Sequence, residues 1–245
     1  MDSTQPARTE PATVHEGPTS RRVEALKRRL IREGTTAVSM LEAAVAALRT
    51  LDVEGASAVR RSDDQVDFEE IAIEQECYAL LSLHHPYAHD FRTITFALRA
   101  NADLERIADH ASSLAKIVGR VVNGAGMASP PRWPTALLDL CERVPQNCHA
   151  LLRAVQDEDV DAALRLVATD QTIDQLEKQL FKEVQEMIDA MGRDDTAVLI
   201  GMLVYRAGRE LERIGDLTAS IAEDLVYLAR GDIIRHAKRR APSPA

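Results

Sequence analysis

The apolar residues of this chain step by threes and fours over long stretches, the spacing that lines one face of a helix. Val23, Leu26, Leu30, Gly34, Ala37, Leu41, Ala44, Leu48 and Leu51 form one such seam and predict a long first helix. A second helix is predicted from about Gly55 to Leu83. It stops ahead of Pro86, because the residue before a proline is pushed out of the α region. A third runs from about Ala88 to Val122, and the stretch GRVVNGAGMASPPRWP that follows is rich in breakers, so residues 123–134 read as a linker. The helical pattern then returns over about Thr135–Gln156, Val160–Met191 and Asp195–Arg230, with Gly192 and Gly231 placed to close the last two helices. No window alternates with period two, so no sheet is expected. Short connections make successive helices antiparallel neighbours. The predicted fold is all-α: two tandem, similar three-helix bundles, residues 21–122 and 135–236, related by an internal pseudo-twofold. Residues 1–20, rich in Pro, Thr, Ser and Glu, read as a disordered arm, and 237–245 as a flexible tail.

The polar positions repeat as well. Leu104-Glu105-Arg106-Ile107-Ala108-Asp109 returns as Leu211-Glu212-Arg213-Ile214-Gly215-Asp216, an offset of 107 residues. The same offset sets Asp63, Asp67, Glu70, Glu76 and Arg99 on Asp170, Asp174, Glu177, Glu183 and Arg206, and Asp52-Val53 on Asp159-Val160. One supersecondary unit is used twice. Core packing alone would have preserved only the apolar pattern, whereas the shared residues are mostly charged, so what is duplicated is a site.

Residues four apart share a helix face, which pairs Glu105 with Asp109 and Glu212 with Asp216. The preceding helix of each unit offers Asp63 with Asp67, and Asp170 with Asp174. In an antiparallel hairpin the two motifs of a unit lie at the same height, with Glu70 and Glu177 one turn further along. Four converging carboxylates repel one another unless a cation compensates them. An all-oxygen set selects a hard ion such as iron, Mn or Mg rather than structural zinc. A single such pair is ordinarily a solvated face or a salt bridge; two per unit, duplicated in register, point to a metal site. The arginines are expected elsewhere: Arg99, Asp103 and Arg106, echoed by Arg206, Glu210 and Arg213, have the spacing of a self-neutralising network, leaving the motif acids free. The Glu-x-x-His signature of di-iron carboxylate enzymes is absent.

Charge and cysteines narrow the field. A net charge of −9 argues against nucleic acid as the main partner. Basic residues crowd the start of the first helix, Arg21 to Arg32, a candidate docking surface. The odd count of three cysteines, without CxxC, suits a reducing compartment, and Cys141 and Cys148 are expected on one buried face. No apolar run approaches a membrane span, and the first residues do not form a signal peptide, so a cytoplasmic protein, peripheral to a membrane at most, is expected. His84, His85 and His89 read as a loop, and Trp133 as a linker anchor.

These residues carry a family likeness. The two Leu-Glu-Arg-Ile-(Ala/Gly)-Asp motifs, Pro86-Tyr87-Ala88-His89-Asp90-Phe91-Arg92 and Ile221–Gly231 resemble the PhoU family over roughly residues 22–236. Departures are His85 where a Gln is usual, Leu217 where a His often follows the second motif, and the extra N-terminal arm. The resemblance implies two similar three-helix bundles and a non-enzymatic negative regulator of phosphate uptake and of the phosphate-starvation response. Such a protein couples a phosphate ABC transporter, through its ATPase subunit, to a membrane sensor histidine kinase, here expected as a homodimer. It also implies that the (Asp/Glu)-x-x-x-Asp motifs hold metal, which falls on Asp63, Asp67, Glu105, Asp109, Asp170, Asp174, Glu212 and Asp216. Two other functions compete: a carboxylate-cluster metalloenzyme, hydrolase or oxidase, and a purely structural oligomerisation module. No phosphate loop, nucleophile elbow or base-orienting triad accompanies the clusters.

Overall fold

The computed structural model describes residues 18–84, 86–126 and 129–234. Six helices account for nearly all of them: α1 (Pro18–Thr50), α2 (Val53–His84), α3 (Ala88–Gly119), α4 (Thr135–Asp157), α5 (Val160–Ala190) and α6 (Asp195–Arg230). No strand occurs among the described residues. A π turn, Arg120–Gly124, extends α3, so the chain leaves the helix near where the linker was expected. Pro18 to Ser20, expected in the arm, belong to the first turns of α1; there Ser20 Oγ donates to Asp90 Oδ2 at 2.9 Å. The rest of the arm and all of the expected tail lie outside the described residues.

Local signals set the helix ends, and they repeat with the sequence. Asp52 Oδ1 accepts from the backbone N–H groups of Glu54 and Gly55, both at 3.0 Å. Its counterpart Asp159 accepts from Ala162 N at 2.9 Å. Each satisfies donors that a helix start leaves orphaned. The residues just before them, Leu51 and Glu158, both turn through left-handed backbone, φ 57° and 51°. Gly231, φ 79°, caps α6, returning its N–H to Tyr227 O.

Within each unit the three helices pack on one another, and the units meet through α3 against α6 and α1 against α4. A twofold that exchanges α1 with α4 and α3 with α6 maps each of these contacts onto itself, so the internal symmetry of the sequence is also that of the fold. The buried apolar side chains of both units form one continuous core. Polar bonds lock the seam: Lys27 Nζ to Glu158 at 2.6 Å, His110 Nδ1 to Glu210 at 2.8 Å, Ser220 Oγ to Asp103 at 3.1 Å and Arg92 Nε to Leu228 O at 2.8 Å. Trp133 anchors the linker, donating from Nε1 to Arg49 O at 3.2 Å. All three cysteines are free and buried.

Candidate metal centres

Asp63 and Asp67 on α2 face Glu105 and Asp109 on α3. Burial, then the charges of Asp109, Glu70 and Asp67, push the Glu105 carboxyl up to about 7. Burial raises Asp63 as well, with the Ser112 hydroxyl acting against it and Asp109 and Asp67 adding to it. Glu70 joins the same stripe and is raised by burial and by Glu74 and Asp67. The sequence pairing therefore survives as a spatial cluster.

The second unit gathers its acids more closely. Asp170 and Asp174 on α5 and Asp216 on α6 each present a carboxylate oxygen within 4.8 Å of the others. Among the described residues this is the one acidic group that converges so far. Asp216 is pushed up to about 7 by burial, by Glu212, Asp170 and Asp174, and by a hydrogen bond shared with Asp170. With no cation between them, carboxylates this close are most stable holding a proton in common. The cluster opens onto a groove of about 700 Å³ between the units, which Arg99 and Arg106 also line.

The expected arginine network is only partly present. Arg106 Nη1 reaches Asp103 at 3.3 Å and Arg206 Nε reaches Glu210 at 3.4 Å, but Arg99 turns to Asp224 across the seam, at 3.5 Å. Nor does the network leave Glu212 free. Arg209 Nη1 lies 2.9 Å from Glu212 and 3.6 Å from Glu177, and Tyr205 donates its hydroxyl to Glu177. The sequence reading missed Arg209 because it followed shared positions, and Arg209 stands where the first unit has Ala102. The basic run of α1 is likewise divided: Lys27 is buried against Glu158, and Arg29 grips Glu69 in a bidentate pair at 2.5 and 3.0 Å.

One further acid was missed in the first unit. Glu33 of α1 is only 3% exposed. Neither of its oxygens has a hydrogen-bond partner. Burial raises its carboxyl to about 8, helped by the charges of Glu69, Glu70 and Glu105 and opposed by Arg29. Burying a charge without a partner costs several kcal/mol, so an isolated Glu on an apolar seam was the signal available in the sequence.

The donor set fits a hard cation. Every candidate ligand is an oxygen, and a buried oxygen without a partner, Glu212 Oε2, stands at the second cluster.

Comparison with known proteins identifies the family and the fold. The PhoU domain model matches twice, over residues 30–118 and 137–225, two spans displaced by the offset of the sequence repeat. The PhoU homolog of Pseudomonas aeruginosa, a phosphate-specific transport system accessory protein, is 32% identical over 87% of this chain and 86% of its own length. The Escherichia coli PhoU protein is 26% identical over 87% and 86%. The crystal structure of PhoU from Pseudomonas aeruginosa superposes with a TM-score of 0.78 at 31% identity, covering 86% of this chain and 99% of that one. That of the phosphate transport system regulatory protein PhoU from Streptococcus pneumoniae gives 0.77 at 26%, covering 88% and 98%. With its doubled domain, its six-helix architecture and this depth of match, the chain belongs to the PhoU family.

Proposed function

We propose that this protein is an accessory regulator of phosphate transport: a metal-binding adaptor that restrains phosphate uptake and the starvation response by linking a phosphate ABC transporter to a sensor histidine kinase. The observation that carries the reading is the duplicated carboxylate cluster, set within a fold shared over nearly the whole length of relatives named as accessory proteins of phosphate transport. No helix among the described residues is long and apolar enough to cross a membrane, so contact with membrane-embedded partners is a matter of docking, by interfaces of the modest size typical of transient regulation.

Asp63, Asp67, Glu105 and Asp109 would hold an ion in the first unit, and Asp170, Asp174 and Asp216, with Glu212 alongside, in the second. The ion would supply positive charge that joins the two helices of each pair and relieves the repulsion between their acids. Iron, Mn and Mg all suit the ligands. The role we propose is regulatory, in keeping with relatives named as accessory and regulatory proteins of phosphate transport. The test is a starvation-promoter reporter in a deletion strain grown in phosphate-rich medium, complemented with wild type or with the motif mutants. Constitutive expression in the deletion strain, reversed by wild type, is expected. Normal repression without the gene, in a strain with no second homologue, defeats the regulatory reading. Full repression by the motif mutants assigns the clusters to structure alone.

A further inference from the structure

Buried oxygen atoms without a hydrogen-bond partner are distributed unevenly between the two units. Glu33 Oε1 and Oε2 and Asn101 Oδ1 belong to the first, where Asp63 and Ser112 have only each other; Glu212 Oε2 alone belongs to the second. At the positions 107 residues on from Glu33, Asn101 and Ser112 the second unit has Leu140, Gly208 and Ala219. At these three positions the second unit lacks the polar side chains that the first carries.

Glu33 stands among the acids of α2 and α3, for the charges of Glu69, Glu70 and Glu105 act on its buried carboxyl. Its neighbour Gly34 packs between α4 and α3, where an added Cβ would stand 2.6 Å from Leu152 and 3.3 Å from Leu104, so α1 lies close against the helix that carries Glu105. On the other side Glu33 lines a cleft of about 290 Å³ with Val66 and Glu69 of α2. Asn101 Nδ2 donates to Glu70 O at 2.9 Å, which sets the height at which α2 and α3 meet. Three helices thus supply acids whose charges act on one another here: Glu33 from α1, Glu69 and Glu70 from α2, Glu105 from α3. Arg29 is spent on Glu69 and Glu76, and Arg209 has no counterpart here. A carboxylate 97% removed from solvent, with neither oxygen bonded, is what an oxygen-ligated cation needs and what an apolar core would exclude.

We infer that Glu33 is an additional cation ligand, supplied by α1, which makes the first centre a three-helix metal site while the second remains a two-helix one. The inference rests on the metal-binding reading of the clusters and adds a residue that neither motif contains.

The experiment is calorimetric titration of the full chain with Mn²⁺, in a background where Asp170→Ala and Asp216→Ala disable the second centre. Glu33→Leu installs the residue that the second unit carries at this position, so the variant is expected to fold, as a circular dichroism melt would check. Glu33→Gln is the near-isosteric control and keeps the inference testable if the leucine variant fails to fold. Loss of a ligand is expected to weaken Mn²⁺ binding at least as much as loss of an outer-shell partner, about 10- to 100-fold, for Leu and by less for Gln. Unchanged or tighter binding in both variants overturns the role of Glu33 and leaves the metal reading standing. Mn²⁺ bound by the native chain but not by the background protein places the ion in the second centre only, which also overturns it. No Mn²⁺ bound by the native chain overturns the metal reading itself, and Glu33 falls with it.

Discussion

The stripe of acids on α2 and α3 and its copy on α5 and α6 begin from the same motif and finish in different surroundings. In the second unit Arg209 enters the cluster beside Glu212 and Glu177, and Tyr205 donates to Glu177; the first unit has Ala102 and Leu98 at those places. In the first unit a buried acid, Glu33, faces the stripe where the second has Leu140. One copy thus carries part of its compensating charge in its own chain, and the other gathers more negative charge than its chain neutralises. Lys116 and Arg106 act on Asp63 and Glu105 only in opposition to larger effects. Duplication kept the motif acids and let the electrostatics around them diverge, so the two candidate centres are expected to differ in affinity for a cation and in the way their empty forms respond to pH.

The largest effect is expected from removing one set of ligands. Glu105→Ala with Asp109→Ala should abolish metal in the first centre and leave the second occupied; Glu212→Ala with Asp216→Ala should do the converse. Elemental analysis of the purified variants after equilibration with Mn²⁺ reads this directly. Equal loss from both centres in either variant would mean that the clusters act as one unit, and the comparison between them would break.

Next in size is the stability of the metal-free protein against pH. The Glu33 carboxyl is raised to about 8 in the fold, and Glu105 to about 7. A raised carboxyl makes the folded protein bind more protons than the unfolded chain between the two pKa values. Stability is therefore fully present below the ordinary glutamate range and is lost as pH rises toward 8. Around Glu33 the charges that enforce this are Glu69 and Glu70 from α2 and Glu105 from α3, with Arg29 opposing. Glu33→Leu should flatten the profile, gaining on the order of a few kcal/mol over the native chain at pH 8.5 and far less at pH 5. Urea unfolding in the presence of chelator measures it, and parallel profiles for the two proteins would show that Glu33 carries no buried charge.

How much of this was legible in the sequence follows from what each residue type signals. The helices were readable because long amphipathic seams such as Val23 to Leu51 admit one period, and because Asp159, Gly231 and the proline-rich linker punctuate them. The eight motif acids were readable because the repeat marks them twice. Arg209, Tyr205 and Glu33 were not, since each occurs in one copy only and a search for shared positions passes over them. The departure at Leu217 had a meaning that only contacts reveal. Its counterpart His110 bonds Glu210 across the seam, where burial would raise the Glu210 carboxyl but the His110 and Arg206 partners hold it below its ordinary value. The bond from Arg99 to Asp224 was out of reach for a related reason: helix spacing describes neighbours on one helix, and Asp224 comes from another.

Removing the resident arginine is expected to have a smaller, two-sided effect. Arg209→Ala leaves Glu212 and Glu177 uncompensated, and should cost the metal-free protein about 1 to 2 kcal/mol, since the pair is only partly shielded from solvent. It should at the same time tighten Mn²⁺ binding at the second centre, because a competing cation has gone. Ala102→Arg, the reciprocal change, should weaken binding at the first centre. Calorimetry on the two variants decides the matter, and weaker binding in Arg209→Ala would show that the arginine organises the ligands instead of competing with the ion.

The smallest effect serves as the control on the comparison. Asp52 and Asp159 hold the starts of α2 and α5 by the same bonds, from backbone N–H groups to Oδ1 at 2.9 to 3.0 Å, and each follows a left-handed residue. Asp52→Ala and Asp159→Ala should each cost about 1 kcal/mol, with Asp52→Ala somewhat the larger, since Asp52 accepts from two N–H groups and Asp159 from one. Neither substitution removes a candidate ligand, so Mn²⁺ stoichiometry should stay that of the native chain. Chemical denaturation of the metal-free variants gives the two costs. If they differ by several kcal/mol, the units are unequal in their folding as well as in their charge, and the contrast between the metal centres could no longer be assigned to Glu33 and Arg209.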